Sequence, residues 1–352
     1  LFMKKKLKIT IPWLLLTVVL INSNCSKKEN SDVQHVLRGR TMGTFFTIKY
    51  IAKNKTQLSE EAKQTIEAGI HDVLNEVNRQ MSTYIPDSDI SRFNRYEKND
   101  WFAVSPGLAK VVEQALTVSR MSGGAFDITV GPLVNLWGFG PEQKPEKIPA
   151  DEKIEEVMLF TGYQKLDVRL SPPAIKKAQP GIVCDLAGIA KGYGVDKVAE
   201  YLESRGILNY LVEIGGEVRA KGKKEGGHRW RLGVASPDGS AGIRIAFPLK
   251  NSAMATSGDY HNYFEEDGVR YSHTIDPATG KPITHKLASV TVIHPSCMTA
   301  DALATAIDVL GPEKGYDLAV KEKLAVFLLI KDNDRFIEKM TPEFGTVLAG
   351  RE

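Results

Sequence analysis

The order of its periodic segments constrains this chain most. From Leu208 to His294 the sequence reads as short strands joined by glycine turns, with Leu208–Ile214, Val218–Lys221, Arg229–Ala235 and Ile243–Phe247 the clearest. Helical periodicity lies outside this run and does not alternate regularly with it. Ala62, Ile66, Ile70, Val73, Leu74 and Val77 recur at helical spacing, predicting an amphipathic helix over residues 58–80. Ser105-Pro106 opens another helix, with Leu108, Val111, Val112, Ala115 and Leu116 as its core face and Gly123-Gly124 as its stop. Further helices are predicted over Asp151–Phe160, from about Gly188 to Ser204, over about Met298–Leu310 and after Pro312. Strands are predicted at Arg40–Ile51, Ile182–Asp185, Ala325–Ile330 and Arg335–Lys339. This order points to an α+β fold with a largely antiparallel sheet and packed helices, and argues against a doubly wound parallel sheet.

At 352 residues, and roughly 150 residues per domain, the chain holds about two domains or one large one. No internal repeat and no linker composition appears after residue 36, which favours one body. Apolar residues at 42% and charged residues at 25% match an ordinary globular protein, not a disordered or multi-span membrane chain. The formal net charge of +3 includes Lys4, Lys5, Lys6 and Lys8, and without them the remainder carries −1. A nucleic-acid binder with a basic face is therefore not indicated.

The four lysines precede an apolar run, Ile9–Ile21. That run is too short to span a bilayer as a helix and suits the apolar region of a signal peptide. Cys25 follows it, then a polar stretch. The pattern resembles a bacterial lipoprotein signal, with residues 1–24 as signal peptide, Cys25 as the lipidated residue and residues 25–36 as a solvated tether. Asn24 departs from it, because a small residue is usual there. Ordinary cleavage nearby, or an uncleaved anchor, are the alternatives. Cys184 and Cys297 are too few for a disulfide scaffold, and read as buried thiols or as a single bridge.

Common chemical signatures are missing. There is no G-x-G-x-x-G after a strand, no Walker A sequence, no H-E-x-x-H and no G-x-S-x-G. Several polar-glycine clusters stand out instead: residues 81–94, Ser122–Leu133, Asp185–Asp196, Thr256–Tyr260, His273–Gly280 and Thr299–Ala306. Each has an ordinary reading. Asp-Pro-x-Thr-Gly is usually a tight turn, an Asp near a helix start is usually a cap, and a tyrosine such as Tyr84 usually packs. Two features favour function. Lys191 lies just inside a helix that begins after glycine, which suits a phosphate. Asp301 and Thr305 lie four apart on one helix face, and two hard oxygens there suit Mg²⁺. A phosphate cradle beside a hard-cation site suggests a nucleotide pyrophosphate.

With these clusters, in this order, the sequence resembles the FAD:protein FMN transferase (ApbE) family over roughly residues 38–348. The resemblance implies an exported or lipid-anchored bacterial enzyme of α+β fold, its catalytic domain spanning residues 37–352. It further implies that FAD is the substrate, that Mg²⁺ is required, and that FMN is attached to a Thr or Ser hydroxyl of a target protein with release of AMP. By the same resemblance Met42, in Arg40-Thr41-Met42-Gly43-Thr44, matches a flavin contact, and Tyr84 takes the aromatic position of the first cluster. Ala125, Phe126 and Asp127 match an FAD-binding segment, and Asp185, Lys191 and Ile275 match further FAD contacts. Gly188 takes a position whose backbone carbonyl ligates the metal, and Asp301 and Thr305 match its side-chain ligands. His273 matches a histidine that activates the target hydroxyl. Gly215-Gly216-Glu217 also recurs, for close backbone approach. The implied partner is an exported or membrane redox protein with a Ser/Thr-Gly-Ala-Ser/Thr segment, at the cell envelope. Two alternatives stand beside transfer: an FAD pyrophosphatase giving FMN and AMP, and a non-catalytic flavin-binding lipoprotein.

Overall fold

In the strand that ends at Ile214, Tyr210, Val212 and Ile214 are buried on one side and Leu211 on the other. A strand buried on both sides needs cover on both faces of its sheet. The computed structural model, which describes residues 32–53, 59–141, 148–237, 242–258, 263–266, 269–333 and 335–350, shows both covers. The signal-like segment, Cys25, the tether up to residue 31, most of the 141–149 loop, and Asp259 and Tyr260 lie outside the described residues.

The sheet has eight strands: β1 (Val33–Thr41), β2 (Thr44–Ala52), β3 (Tyr210–Ile214), β4 (Glu217–Lys221), β5 (Ser252–Gly258), β6 (Leu287–His294), β7 (Ala325–Asp332) and β8 (Arg335–Met340). Each pairs antiparallel with its predecessor, so sheet order follows chain order. The expected antiparallel α+β architecture is therefore present, as one meander with long insertions.

Four long helices matter for the site: α1 (Glu60–Met81), α2 (Pro106–Met121), α3 (Ala190–Ser204) and α4 (Cys297–Lys321). α1 turns Ile66, Ile70, Leu74 and Val77 inward, as its periodicity predicts, and the Ser59 hydroxyl accepts from the Ala62 N–H at its start. With Val195, Val198, Ala199 and Leu202 of α3, this face packs on Phe46, Ile48, Tyr210, Val212 and Ile214 of the sheet. α2 and α4 extend the same layer over Val290, Val292, Val326 and Leu328. The opposite sheet face, including Leu211, Val218, Met254, Phe327 and Leu329, is covered by Trp230, Phe247 and Phe344. These come from a hairpin (Arg231–Ala235 with Ile243–Pro248), the residue before it, and the last helix (Pro342–Ala349). Each such large side chain contributes about 1.5–3 kcal/mol by leaving water.

Three expectations are corrected. The strand predicted at Arg40–Ile51 is two strands, because Met42 (φ 50°) and Gly43 (φ 74°) turn the chain between Thr41 and Thr44. Two consecutive positive φ angles make a hairpin turn, and Met-Gly carries little of the usual turn signature. Val33–Val36, assigned to the tether by polarity, instead begin β1 and pair with Lys49–Ala52. Ile182–Asp185 is not a strand; it has no regular secondary structure and is held by side chains. The Asn94 amide donates to the Cys184 carbonyl and its oxygen accepts from the Cys184 N–H, while Lys177 donates to the carbonyls of Asn94 and Ile182. The two helices expected on either side of Pro312 are both present: Gly311 (φ 77°, ψ −175°) breaks the helical angles within Cys297–Lys321 just before Pro312. Cys184 and Cys297 are both buried free thiols, so the bridge is absent.

Candidate active site

Two helices, α3 and α4, cap each other's starts. Asp196 of α3 accepts from the Ser296 hydroxyl (2.7 Å) and from the N–H groups of Cys297 (3.0 Å) and Met298 (3.1 Å), at the start of α4. Asp301 of α4 accepts in return from the Gly192 N–H of α3 at 2.9 Å. An aspartate at a helix N-terminus satisfies N–H groups that have no partner within the helix. The cap reading of Asp301 is thus right in kind, although the helix it caps is not its own. Its burial is the result, at 5% exposed.

Thr305 follows one turn along α4. A Cβ built on Gly188 would stand 2.9 Å from the Thr305 hydroxyl and 3.1 Å from the Phe126 ring. Only glycine lets the backbone approach so closely. Lys191, in the first turn of α3, makes a 2.7 Å ion pair with Glu217. Glu217 opens β4 directly after Gly215-Gly216, and a Cβ at Gly215 would stand 2.7 Å from Thr44 and 3.3 Å from Lys191. The expected close backbone approach at this turn is therefore real. Glu217 is 2% exposed, and its Oε2 has no hydrogen-bond partner.

Residues 272–280 form another wall. Ser272 and Thr274 are buried, and His273 between them is half-buried, edge-on to Phe139 at 6.4 Å between ring centres. Ile275 packs with Leu133, Trp137 and Ile154. The Trp137 indole donates to the Gly280 carbonyl at 2.8 Å. Asp276 accepts from the Ala278 N–H and the Thr279 hydroxyl, so Asp-Pro-x-Thr-Gly is the tight turn its composition predicts. Asp127 accepts from the N–H and hydroxyl of Thr129 and from the Tyr163 N–H, which fixes the Ala125–Asp127 segment.

These walls enclose a cavity of about 460 Å³, within the range of small-molecule sites. Ala125, Phe126, Asp127, Asp185, Gly188, Lys191, His273, Ile275, Asp301 and Thr305 all line it. Met42 and Tyr84 do not. Met42 sits at the β1–β2 turn, with its sulfur towards Gly194 of α3. Tyr84 is 71% exposed on the turn after α1. Its neighbours Thr83 and Pro86 line a second cavity of about 270 Å³, which shares Asp185 with the first.

The electrostatics are unusual. Four carboxylates, of Asp127, Asp185, Glu217 and Asp301, line the large cavity, and Lys191 is the only lysine or arginine among its described lining residues. Burial raises all four above the ordinary carboxylate range. Lys191 and the Gly192 N–H oppose this at Asp301, and Lys191 opposes it at Glu217, which is still pushed up to about 8. Burial works against the Lys191 charge, but Glu217 and Asp301 together raise its pKa. An anionic diphosphate here would face several carboxyl groups with Lys191 as the one opposing lysine or arginine among the described lining residues, a setting in which a bound cation would be favourable. Among the described residues no group of three or more His, Cys, Asp or Glu could hold one. One carboxylate, one hydroxyl and one carbonyl, from Asp301, Thr305 and Gly188, are instead a hard-oxygen set that suits Mg²⁺ sharing its remaining positions with waters and phosphate.

The ApbE family model matches residues 42–328, which include every lining residue just named. The chain belongs to the ApbE family. It is 44% identical to the FAD:protein FMN transferase of Vibrio cholerae, over 96% of this chain and 99% of that protein. It is also 44% identical to the FAD:protein FMN transferase of Haemophilus influenzae, over 90% of this chain and 92% of that one. The solved structure of the flavin transferase ApbE from Vibrio cholerae superposes with a TM-score of 0.83 at 44% identity, covering 90% of this chain and all of that one. Within this ApbE architecture, Glu217 is a site residue to which sequence alone assigns no role beyond its place in Gly215-Gly216-Glu217. Its signal was the Gly-Gly pair before it, which reads as a turn and hides the carboxylate that the turn delivers.

Proposed function

We propose that this protein transfers the FMN half of FAD to a Ser or Thr hydroxyl of a partner protein and releases AMP. The observation that carries the reading is the convergence of Asp301, Thr305, Gly188, Lys191 and His273 on one cavity, although the sequence spreads them over more than a hundred positions. Asp301, Thr305 and the Gly188 carbonyl would hold Mg²⁺, which when bound offsets charge on the pyrophosphate. Lys191 keeps its proton and offers a fixed positive charge beside Asp301 and Glu217. His273 takes the proton of the incoming hydroxyl, worth about 10²–10⁴-fold in rate. The hydroxyl oxygen then bonds to the FMN phosphorus, the bond to the AMP phosphate breaks, and AMP leaves as an anion. Phosphoryl transfer of this kind depends mainly on position and charge. The Tyr84 turn and its cavity extend the site beyond Asp185, towards solvent, and would receive the flavin end.

The same reading places the enzyme at the bacterial cell envelope, anchored through a lipid on Cys25, and takes an exported or membrane redox protein with a Ser/Thr-Gly-Ala-Ser/Thr segment as its partner. Supporting it are the lysines, apolar run and cysteine at the N-terminus. The direct test is incubation with FAD, Mg²⁺ and a protein carrying such a segment. Flavin fluorescence in the denatured acceptor band is the expected result. FMN and AMP without labelled acceptor would replace transfer by hydrolysis, and intact FAD would leave only binding.

A further inference from the structure

Asp308 is fully buried on α4 and lies outside the lining of the large cavity. It shares a helix face with Asp301 and Thr305, at spacings of four and then three residues. Its Oδ2 accepts from the Ser257 hydroxyl of β5 at 2.9 Å and from the Thr274 hydroxyl at 3.5 Å. Ser257 and Thr274 both line the cavity, and Thr274 directly follows His273. The Thr274 N–H also donates to the Ser272 hydroxyl at 3.1 Å, which stiffens the backbone around His273. Burying a carboxylate is costly unless hydrogen bonds compensate it. A hydrophobic residue would fill the same space between helix and sheet more cheaply, so a carboxylate here calls for a positional reason.

We infer that Asp308 is a positioning residue, which clamps the His273 segment to the helix that carries Asp301 and Thr305. One rigid element then fixes both the charge-bearing oxygens and the base. The distance from base to phosphorus is set by α4 and not left to a loop. This inference rests on the transfer reading, because it gives His273 the role of base. A misplacement of about 1 Å in such a group costs up to about 10²-fold in rate.

The test is a double-mutant cycle in the full-length protein. FMN transfer is followed at saturating FAD and acceptor, FAD affinity by flavin fluorescence, and folding by thermal unfolding. Asp308→Ala is expected to lower kcat by about tenfold or more, with FAD Kd within about twofold. Asp308→Asn, which keeps an acceptor oxygen, should restore most of the rate. In a His273→Ala background Asp308→Ala should cost nothing further, because residues acting through one another are non-additive. An equal loss in both backgrounds overturns the inference, as does weaker FAD binding at unchanged kcat. If Asp308→Ala does not fold, Thr274→Val removes one of the clamp's hydroxyls at nearly constant shape, and additive or non-additive behaviour with His273→Ala decides in the same way. Full activity of His273→Ala alone is a different failure: it removes the base from the transfer reading, and the clamp falls with it.

Discussion

Asp301 has two jobs that separate by substitution. Its Oδ2 holds the Gly192 N–H, and it lines the cavity, where the proposed function gives its charge to Mg²⁺. Asp301→Asn keeps an oxygen for Gly192 and removes the charge. It should unfold near the wild-type temperature and yet cleave FAD at least about 10²-fold more slowly in Mg²⁺, since such charge stabilisation is worth several kcal/mol. Normal FAD cleavage by the folded variant would remove Asp301 from the metal site. Gly188 offers a second test at the same scale. In Gly188→Ala the new methyl would press on the Thr305 hydroxyl and the Phe126 ring. The Mg²⁺ concentration for half-maximal FAD cleavage should rise by about tenfold, as for other changes that misorient a ligand. An unchanged Mg²⁺ titration would show that Thr305 is not a ligand.

At the scale of elements, the reciprocal caps tie α3, which carries Lys191, to α4, which carries Asp301 and Thr305. Asp196 accepts from three groups at the start of α4 and pairs with Arg219 at 2.8 Å. Asp196→Ala would leave two N–H groups, a hydroxyl and a largely buried guanidinium without this partner. A lost cap costs about 1 kcal/mol and a broken buried pair more, so about 2–4 kcal/mol is expected. Urea unfolding measures it. A shift below about 0.5 kcal/mol would show that the two helix starts are held by packing alone. The helix read from about Gly188 to Ser204 is present as Ala190–Ser204. What local sequence does not show is that the Gly192 N–H in its first turn finds its acceptor on Asp301, more than a hundred residues away.

For the whole molecule, the boundary between anchor and body is the testable matter. β1 begins at Val33, so a chain started at Asp32 keeps the full β1–β2 ladder, whereas one started at residue 37 loses the pairs of Val33–Val36 with Lys49–Ala52. If Cys25 carries lipid, Cys25→Ser should release the protein from membranes or block its processing. The body starting at Asp32 should transfer FMN at the full-length rate. Several acyl chains on one residue anchor stably, at about 0.8 kcal/mol per buried CH₂, whereas one chain is marginal. Mass spectrometry of the mature N-terminus decides the matter: an unmodified residue downstream of Cys25 would leave an exported enzyme without an anchor. Among the described residues no helix is long and apolar enough to cross a membrane.

The sequence by itself determined the class of fold, the main helices and most strands, because side-chain periodicity is a local property that hydrophobic burial enforces wherever the chain goes. It also marked Asp301 and Thr305 as a pair, since four residues of one helix fix their common side. Only the tertiary structure decided which clusters meet. Met42 and Tyr84 stand outside the cavity that unites the others, and Glu217 and Asp308 acquire meaning from contacts across the fold. Asp127 and Asp196 both accept from backbone N–H groups at the start of a helical segment, yet one lines the cavity and the other holds the start of the helix that does. The physical reason is range. Periodicity, caps and turns act within a few residues, whereas a buried charge is defined by the partners that the folded chain brings to it from far away.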